Sequence, residues 1–206
     1  MIRIIDYKAG NAPSVMHAVK HLGYKAEYAR GPKDFGDATH IILPGVGTAK
    51  ATMDSLKALN IPPKLEKSIF KKKTPFLGIC VGMQVLFEHS EEDDSPGLGW
   101  LKGNIVKYDT QKVRVPQMGW NQARFVKDTP ITPADAGLQP KYFYFVNSYH
   151  VRPADESIIW AVSDYNGDFV AGIQQENVYA TQFHIEKSGE AGLSLLKRFL
   201  ELEKTS

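Results

Sequence analysis

The sequence predicts an open α/β fold: a mostly parallel sheet with helices on both faces, extended by antiparallel strands in the second half. Three observations predict it. Strand and helix signals alternate from Ile2 to about His89, short period-two runs take over from Gly99 to about Val170, and an amphipathic segment closes the chain. The first rhythm is that of parallel strands joined by crossover helices, the second that of hairpins.

Ile2 to Asp6 is a short apolar run suited to a buried strand. Ser14 offers an N-cap, and Val15, Val19 and Leu22 fall at helical spacing up to a stop at Gly23. Tyr24 to Ala29 alternates, Gly31 to Asp37 is turn-rich, and Thr39 to Leu43 is a second buried strand ended by Pro44-Gly45. Helical patterns run from about Thr48 to Leu59 and from about Pro63 to Lys73, where Thr74-Pro75 breaks the second. Phe76 to Ile79 is a third strand, and Gly82 to about His89 is helical again. Residues 90–98 read as an exposed loop rather than a domain boundary. Beyond it, Ile105–Tyr108, Tyr142–Val146 and Ile158–Val162 are strand candidates, separated by turns such as Asn166-Gly167-Asp168. Ala171–Ile173 and Val178–Phe183 form a final strand pair, and Ser188–Glu203 is a closing helix with Leu193, Leu196, Phe199 and Leu200 on its apolar face.

At 206 residues the chain has the length of one domain, or of one domain with a large insert, at about 150 residues per domain. Lys and Arg number 25 against 23 Asp and Glu, a net charge of +2 that offers no argument for nucleic acid or an anionic membrane as partner. A single cysteine, Cys80, rules out an internal disulfide and any Cys-rich zinc or iron–sulfur site. Met1 to Asp6 is too short for a signal peptide, and the longest apolar stretch, Phe76 to Leu86, is broken by Gln84 and falls short of the ~18 residues of a spanning helix. The expectation is a soluble, cytoplasmic chain without metal or cofactor.

Gly78-Ile79-Cys80-Val81-Gly82 carries the strongest local signal. It stands between a strand and a helix, the setting of a nucleophile elbow with cysteine as nucleophile. Such a turn strains the backbone at Cys80, and the flanking glycines leave room for it. The following helix start offers N–H groups and a positive dipole end that favour a thiolate and an oxyanion. A buried structural cysteine is the competing reading. Of six histidines, His184 is best placed as a base: it ends the run from Val178 to Phe183, and Glu186 follows two residues later. On a continued strand the two side chains share a face, and the acid can orient the imidazole. From the local pattern alone, an exposed pair at a strand end is the favoured reading. Leu43-Pro44-Gly45-Val46-Gly47 is a Gly-rich turn at a strand end, able to present N–H groups to an anion or tetrahedral oxyanion, or simply to turn the chain.

Together these segments resemble the class I (Cys-His-Glu triad) glutamine amidotransferases. Finer motifs are similar to the glutaminase subunits of imidazole glycerol phosphate synthases: Asp6-Tyr7-x-x-Gly10-Asn11, Pro44-Gly45-Val46-Gly47, Cys80-Val81-Gly82-Met83-Gln84, Val115-Pro116-Gln117-Met118-Gly119-Trp120-Asn121, and Thr181-Gln182-Phe183-His184-x-Glu186-Lys187-Ser188. The resemblance implies a single amidotransferase domain over residues 1–206 with a flavodoxin-like sheet. It implies Cys80, His184 and Glu186 as the catalytic triad acting on L-glutamine. The oxyanion would be held by the N–H of Val81 and one from Gly45–Val46, the latter after a peptide flip that couples activity to a partner. Gly47, Gln84 and Glu92, with the backbone at Ser148 and Tyr149, would bind the substrate's amino-acid end. Ammonia would pass to a (β/α)8-barrel cyclase in a heterodimer, with Asn11, Gln117, Met118, Trp120 and Lys187 at the contact.

Three positions depart from the family pattern. Ile185 stands where Pro is usual, and Gln117 and Asn147 stand where His is expected. No triad member is lost, so glutaminase chemistry is expected to survive. Two other readings stay open: a paralogue feeding ammonia to another synthase, such as one forming surface-sugar amidines, or a stand-alone hydrolase. A non-catalytic scaffold is disfavoured by the intact triad.

Overall fold

The computed structural model describes residues 1–8, 11–134, 137 and 141–203, so Gly10 of the N-terminal motif lies outside the described residues. Chain order begins β1 (Ile2–Ile5), α1 (Ala12–His21), β2 (Ala26–Ala29), β3 (His40–Leu43), α2 (Ala49–Ala58), α3 (Pro62–Glu66), β4 (Phe76–Ile79) and α4 (Val81–Gln84). It continues with β5 (His89–Ser90), β6 (Ser95–Pro96), β7 (Gly103–Lys107), β8 (Gln117–Phe125), β9 (Lys141–Asn147) and β10 (Tyr149–Pro153). β11 (Ile159–Asp164), β12 (Asp168–Gln175), β13 (Val178–Thr181) and α5 (Gly189–Leu200) complete it.

Nine strands form the main sheet in the order β2-β1-β3-β4-β13-β12-β11-β8-β9. The first five are parallel, and the remaining pairs are antiparallel, as the two halves of the sequence pattern predict. β3 and β4 are buried along their whole length, as parallel strands covered on both faces must be. The chain steps one way from β1 to β2 and the other way from β3 to β4. Right-handed crossovers therefore put α1 and α2 on opposite faces. A second sheet, β10-β7-β5-β6, stands beside the first. No helix among the described residues is long and apolar enough to cross a membrane.

Several elements differ from expectation for identifiable reasons. α1 starts at Ala12, two residues before the Ser14 cap the sequence suggests, because Pro13 fits a first turn whose N–H groups have no intrahelical partner. α3 stops at Glu66 and gives way to a wide π turn over Lys67–Lys71. The helix expected from Gly82 to His89 ends at Gln84. The returning segment 97–101 takes its carbonyls: Leu98 donates to Val85, Trp100 and Leu101 to Leu86, and Gly99 to Phe87. Residues 90–98 are not simply an exposed loop, since they build the β5–β6 hairpin and bury Ser95. β8, the longest strand, escapes sequence detection because its pattern is inverted, with Met118 and Trp120 facing solvent and Gln117 facing inward.

Candidate active site

Register brings the three suspected segments together. β3, β4 and β13 are adjacent and parallel, with Leu43 beside Gly78 and Ile79 beside Thr181. The turns after them emerge side by side at the carboxyl edge, close to where the strand order reverses between β1 and β3, where open α/β sheets bind ligands.

The elbow is as strained as its sequence suggests. Cys80 has φ +56° and ψ −110°, and its N–H donates to Thr181 O at 2.7 Å. A Cβ on Gly82 would stand 2.0 Å from Leu43 O, and one on Gly78 2.5 Å from Gly82 O. A Cβ on Gly45 would stand 2.6 Å from Gly82 N. Gly45 and Gly82 let the end of β3 and the Pro44–Gly47 turn press against the elbow, and Gly78 lets the elbow fold back on its own strand. Tyr7 anchors that turn from behind, its hydroxyl donating to Pro44 O at 2.9 Å.

His184 and Glu186 meet, though not by the strand geometry expected. β13 ends at Thr181, and residues 185–187 form a 3-10 turn. The turn itself brings Glu186 Oε1 to 2.9 Å from His184 Nδ1, both side chains being buried. Ser188 holds the turn to β9: its hydroxyl donates to His184 O at 2.6 Å and accepts from Tyr144 N at 3.0 Å, while His184 N donates to Tyr144 O at 2.9 Å. Ile185 buries its side chain in the core, and a Cβ on Gly192 would stand 2.0 Å from its carbonyl oxygen, which packs α5 tightly on the turn. Burial alone lowers the imidazole pKa, but the hydrogen bonds to Cys80 and Glu186 prevail and raise it to about 10. Burial pushes the Glu186 carboxyl up, and His184 prevails over it to hold the carboxyl below the ordinary range.

A cavity of about 240 Å³ opens over Cys80 and His184. Val46, Gly47, Val81, Gln84, Glu92, Ser148 and Tyr149 line it, so the residues suggested for oxyanion and substrate binding converge there, with Gly45 packed behind the wall. Glu92 Oε2 also accepts the Ala49 N–H at 3.0 Å, tying the hairpin to the first turn of α2. Burial raises the Glu92 carboxyl pKa. Pro116, Val146 and Asn147 line the cavity too and were not singled out as pocket residues from the sequence. The chain passes from one sheet to the other between β9 and β10, and only that crossing brings Val146 and Asn147 over the sulfur.

The five suggested contact residues divide. Met118 and Trp120 are 66% and 56% exposed, and Lys187 is exposed. Asn11 and Gln117 are buried, which corrects their assignment to the surface. Asn11 Nδ2 donates to Glu186 Oε1 at 3.2 Å, so it supports the triad from within. Gln117 Oε1 accepts from the Tyr108 hydroxyl at 3.3 Å, and Asn147 Nδ2 donates to that hydroxyl at 3.1 Å. The two positions where His is expected therefore share one buried tyrosine. No group of three or more His, Cys, Asp or Glu side chains among the described residues could hold a metal ion.

A nucleophile elbow, a buried His–Glu pair and a facing Gly-rich turn at one sheet edge define a triad hydrolase of the amidotransferase type. The model of the family "glutamine amidotransferase class-I" matches residues 3–202, and the chain belongs to that family. Among its relatives, imidazole glycerol phosphate synthase subunit HisH of Methanocaldococcus jannaschii is 44% identical, over 98% of this chain and 100% of the relative. The chloroplastic imidazole glycerol phosphate synthase hisHF of Arabidopsis thaliana is 41% identical over 97% of this chain, which matches 34% of that longer protein. One Methanococcus maripaludis strain has two such subunits, HisH 1 and HisH 2, 40% and 37% identical to this chain over 98% of its length. A crystal structure of a glutamine amidotransferase superposes with a TM-score of 0.76 at 20% identity over 97% of both chains, a likeness of fold.

Proposed function

We propose that this chain is the glutaminase subunit of an imidazole glycerol phosphate synthase, releasing ammonia from L-glutamine for a cyclase in histidine biosynthesis. The observation that carries the chemistry is the buried His184–Glu186 hydrogen bond of 2.9 Å, with His184 and Cys80 lining one cavity. The Cys80 thiolate attacks the side-chain carboxamide carbon. The resulting oxyanion is held by the Val81 N–H, joined by one from Gly45–Val46. His184, protonated, gives its proton to the departing nitrogen, and ammonia leaves a γ-glutamyl thioester. Neutral His184 then takes a proton from water, whose oxygen attacks the thioester, releasing glutamate and restoring the thiolate. Glu186 keeps the imidazole in place and favours its charged form.

Ammonia passes to a (β/α)8-barrel cyclase subunit, docked beside Met118, Trp120 and Lys187 as a heterodimer. The fused hisHF relative, of which this chain matches about a third, supports such a pairing. A paralogous synthase is the alternative acceptor, and Gln117 and Asn147 are the departures that keep it in view.

Glutamate release by the wild type and Cys80→Ser, alone, with a histidine-pathway cyclase barrel, and with that barrel plus its nucleotide ligand, tests the proposal. The expected result is low activity alone, a large Cys80-dependent rise with the liganded barrel, and imidazole glycerol phosphate as product. Activity indifferent to the barrel identifies a hydrolase. Stimulation only by another synthase identifies a paralogue.

A further inference from the structure

Gln182 is fully buried, and its Nε2 lies 3.5 Å from the Cys80 sulfur. Its Oε1 accepts from Gln84 Nε2 at 3.0 Å, and the same Gln84 nitrogen donates to the Tyr149 carbonyl at 3.2 Å. The direction of this chain is fixed at one end. A backbone carbonyl can only accept, so Gln84 must present its NH2 to Tyr149 and, from the same atom, to Gln182. Gln182 must answer with its oxygen, which leaves its NH2 nothing to face but the sulfur. A sulfur receiving that donor is better served as thiolate than as thiol, because hydrogen bonds to a charged acceptor are the stronger kind.

We propose that the Gln84–Gln182 amide relay, oriented by the Tyr149 carbonyl, is a dedicated hydrogen-bond donor to the Cys80 thiolate. The relay rests on Cys80 being the nucleophile of the proposed glutaminase, and it gives Gln182 a role in the reaction that is not positional. Tyr149 and Gln84 both line the substrate cavity, so the strand that would hold the glutamine also sets the polarity of the donor at the nucleophile. The other groups facing the sulfur are the His184 imidazole with Glu186 behind it, the Tyr7 phenol, and the Val146 carbonyl, to which the thiol form donates at 3.8 Å. Glu92 lies across the same cavity. Among these side chains, His184 and Gln182 are the ones placed to donate to the sulfur, the Tyr7 hydroxyl being committed to Pro44 O.

Cys80 is the only cysteine, so alkylation by iodoacetamide reports this one sulfur without glutamine or partner. The rate is measured against pH for the full chain, Gln182→Met, the near-isosteric Gln182→Glu, and Gln84→Glu, with thermal unfolding as a check on folding. In both Gln182 variants the alkylation profile is expected to move to higher pH, with the rate at neutral pH falling about tenfold, the size expected for one lost hydrogen bond to a charge. Gln84→Glu, which cannot donate to Tyr149, is expected to shift the profile the same way. An unmoved profile in folded Gln182 variants overturns the relay even where wild-type glutaminase is confirmed. A glutaminase that fails while the profile shifts overturns the function and leaves the relay standing.

Discussion

At the scale of single residues, the site works by setting charge. His184 is buried where a lone imidazole would be neutral, yet its neighbours raise its pKa to about 10. In the proposed mechanism it protonates the leaving nitrogen and must be charged, so kcat/KM is expected to hold through neutral pH and fall as pH rises toward that value. Glu186→Gln removes one of the interactions that raise the imidazole, so the alkaline limb is expected to move to lower pH, as read from the pH profile of glutamate release. The same carboxylate, held below its ordinary 4.5, adds stability that is complete above that value and drains away as pH falls below it. The urea midpoints of wild type and Glu186→Gln should therefore converge in acid. Asn11 shows what residue-scale reading misses: the sequence suggests a partner contact, and the side chain instead turns inward and joins His184 in donating to Glu186 Oε1.

At the scale of elements, two close approaches hold the geometry. The elbow and the Pro44–Gly47 turn touch through bare glycine, and Gly82→Ala drives a methyl group into Leu43 O. A loss of about 3 kcal/mol is expected from such overpacking, measurable as a lower urea midpoint at unchanged slope. The second approach is the clamp of Ser188 between His184 and Tyr144. Ser188→Ala leaves a half-buried Tyr144 N–H without its acceptor and is expected to cost about 1–3 kcal/mol. It also loosens the base, so kcat for glutamate release should fall while KM changes little. The elements legible in the sequence are those with one dominant signal, such as β3 and β4, each built on a short apolar run. α4 is shorter than its pattern predicts and β8 carries no strand signal, because the end of one and the faces of the other depend on neighbouring segments. The returning segment 97–101 competes for the helix carbonyls, and β8 puts its tryptophan outside and its glutamine inside.

At the scale of the whole molecule, β9 holds the catalytic turn through Tyr144 and pairs with β8, which carries the exposed Met118 and Trp120. Trp120 lies 6.0 Å, centroid to centroid, from Tyr144, whose backbone holds His184. A large aromatic left half exposed beside the site is the kind of residue that anchors interfaces. Trp120→Ala is expected to weaken binding of the cyclase barrel by about 2 kcal/mol, measured by titration calorimetry, while leaving the unfolding midpoint of the isolated chain nearly unchanged.

By itself the sequence determined the α/β class, the elbow around Cys80, and the pairing of His184 with Glu186 as candidates. Each of these depends on residues within a few positions of one another, where spacing and side-chain type are enough. Only the tertiary structure decided that β3, β4 and β13 end at one edge, that Gln182 faces the sulfur, that Asn11 and Gln117 are buried, and that Val146 and Asn147 line the cavity over Cys80. Those facts follow from strand order and register, which are set by burial summed over the whole sheet and leave no mark on any short stretch of chain.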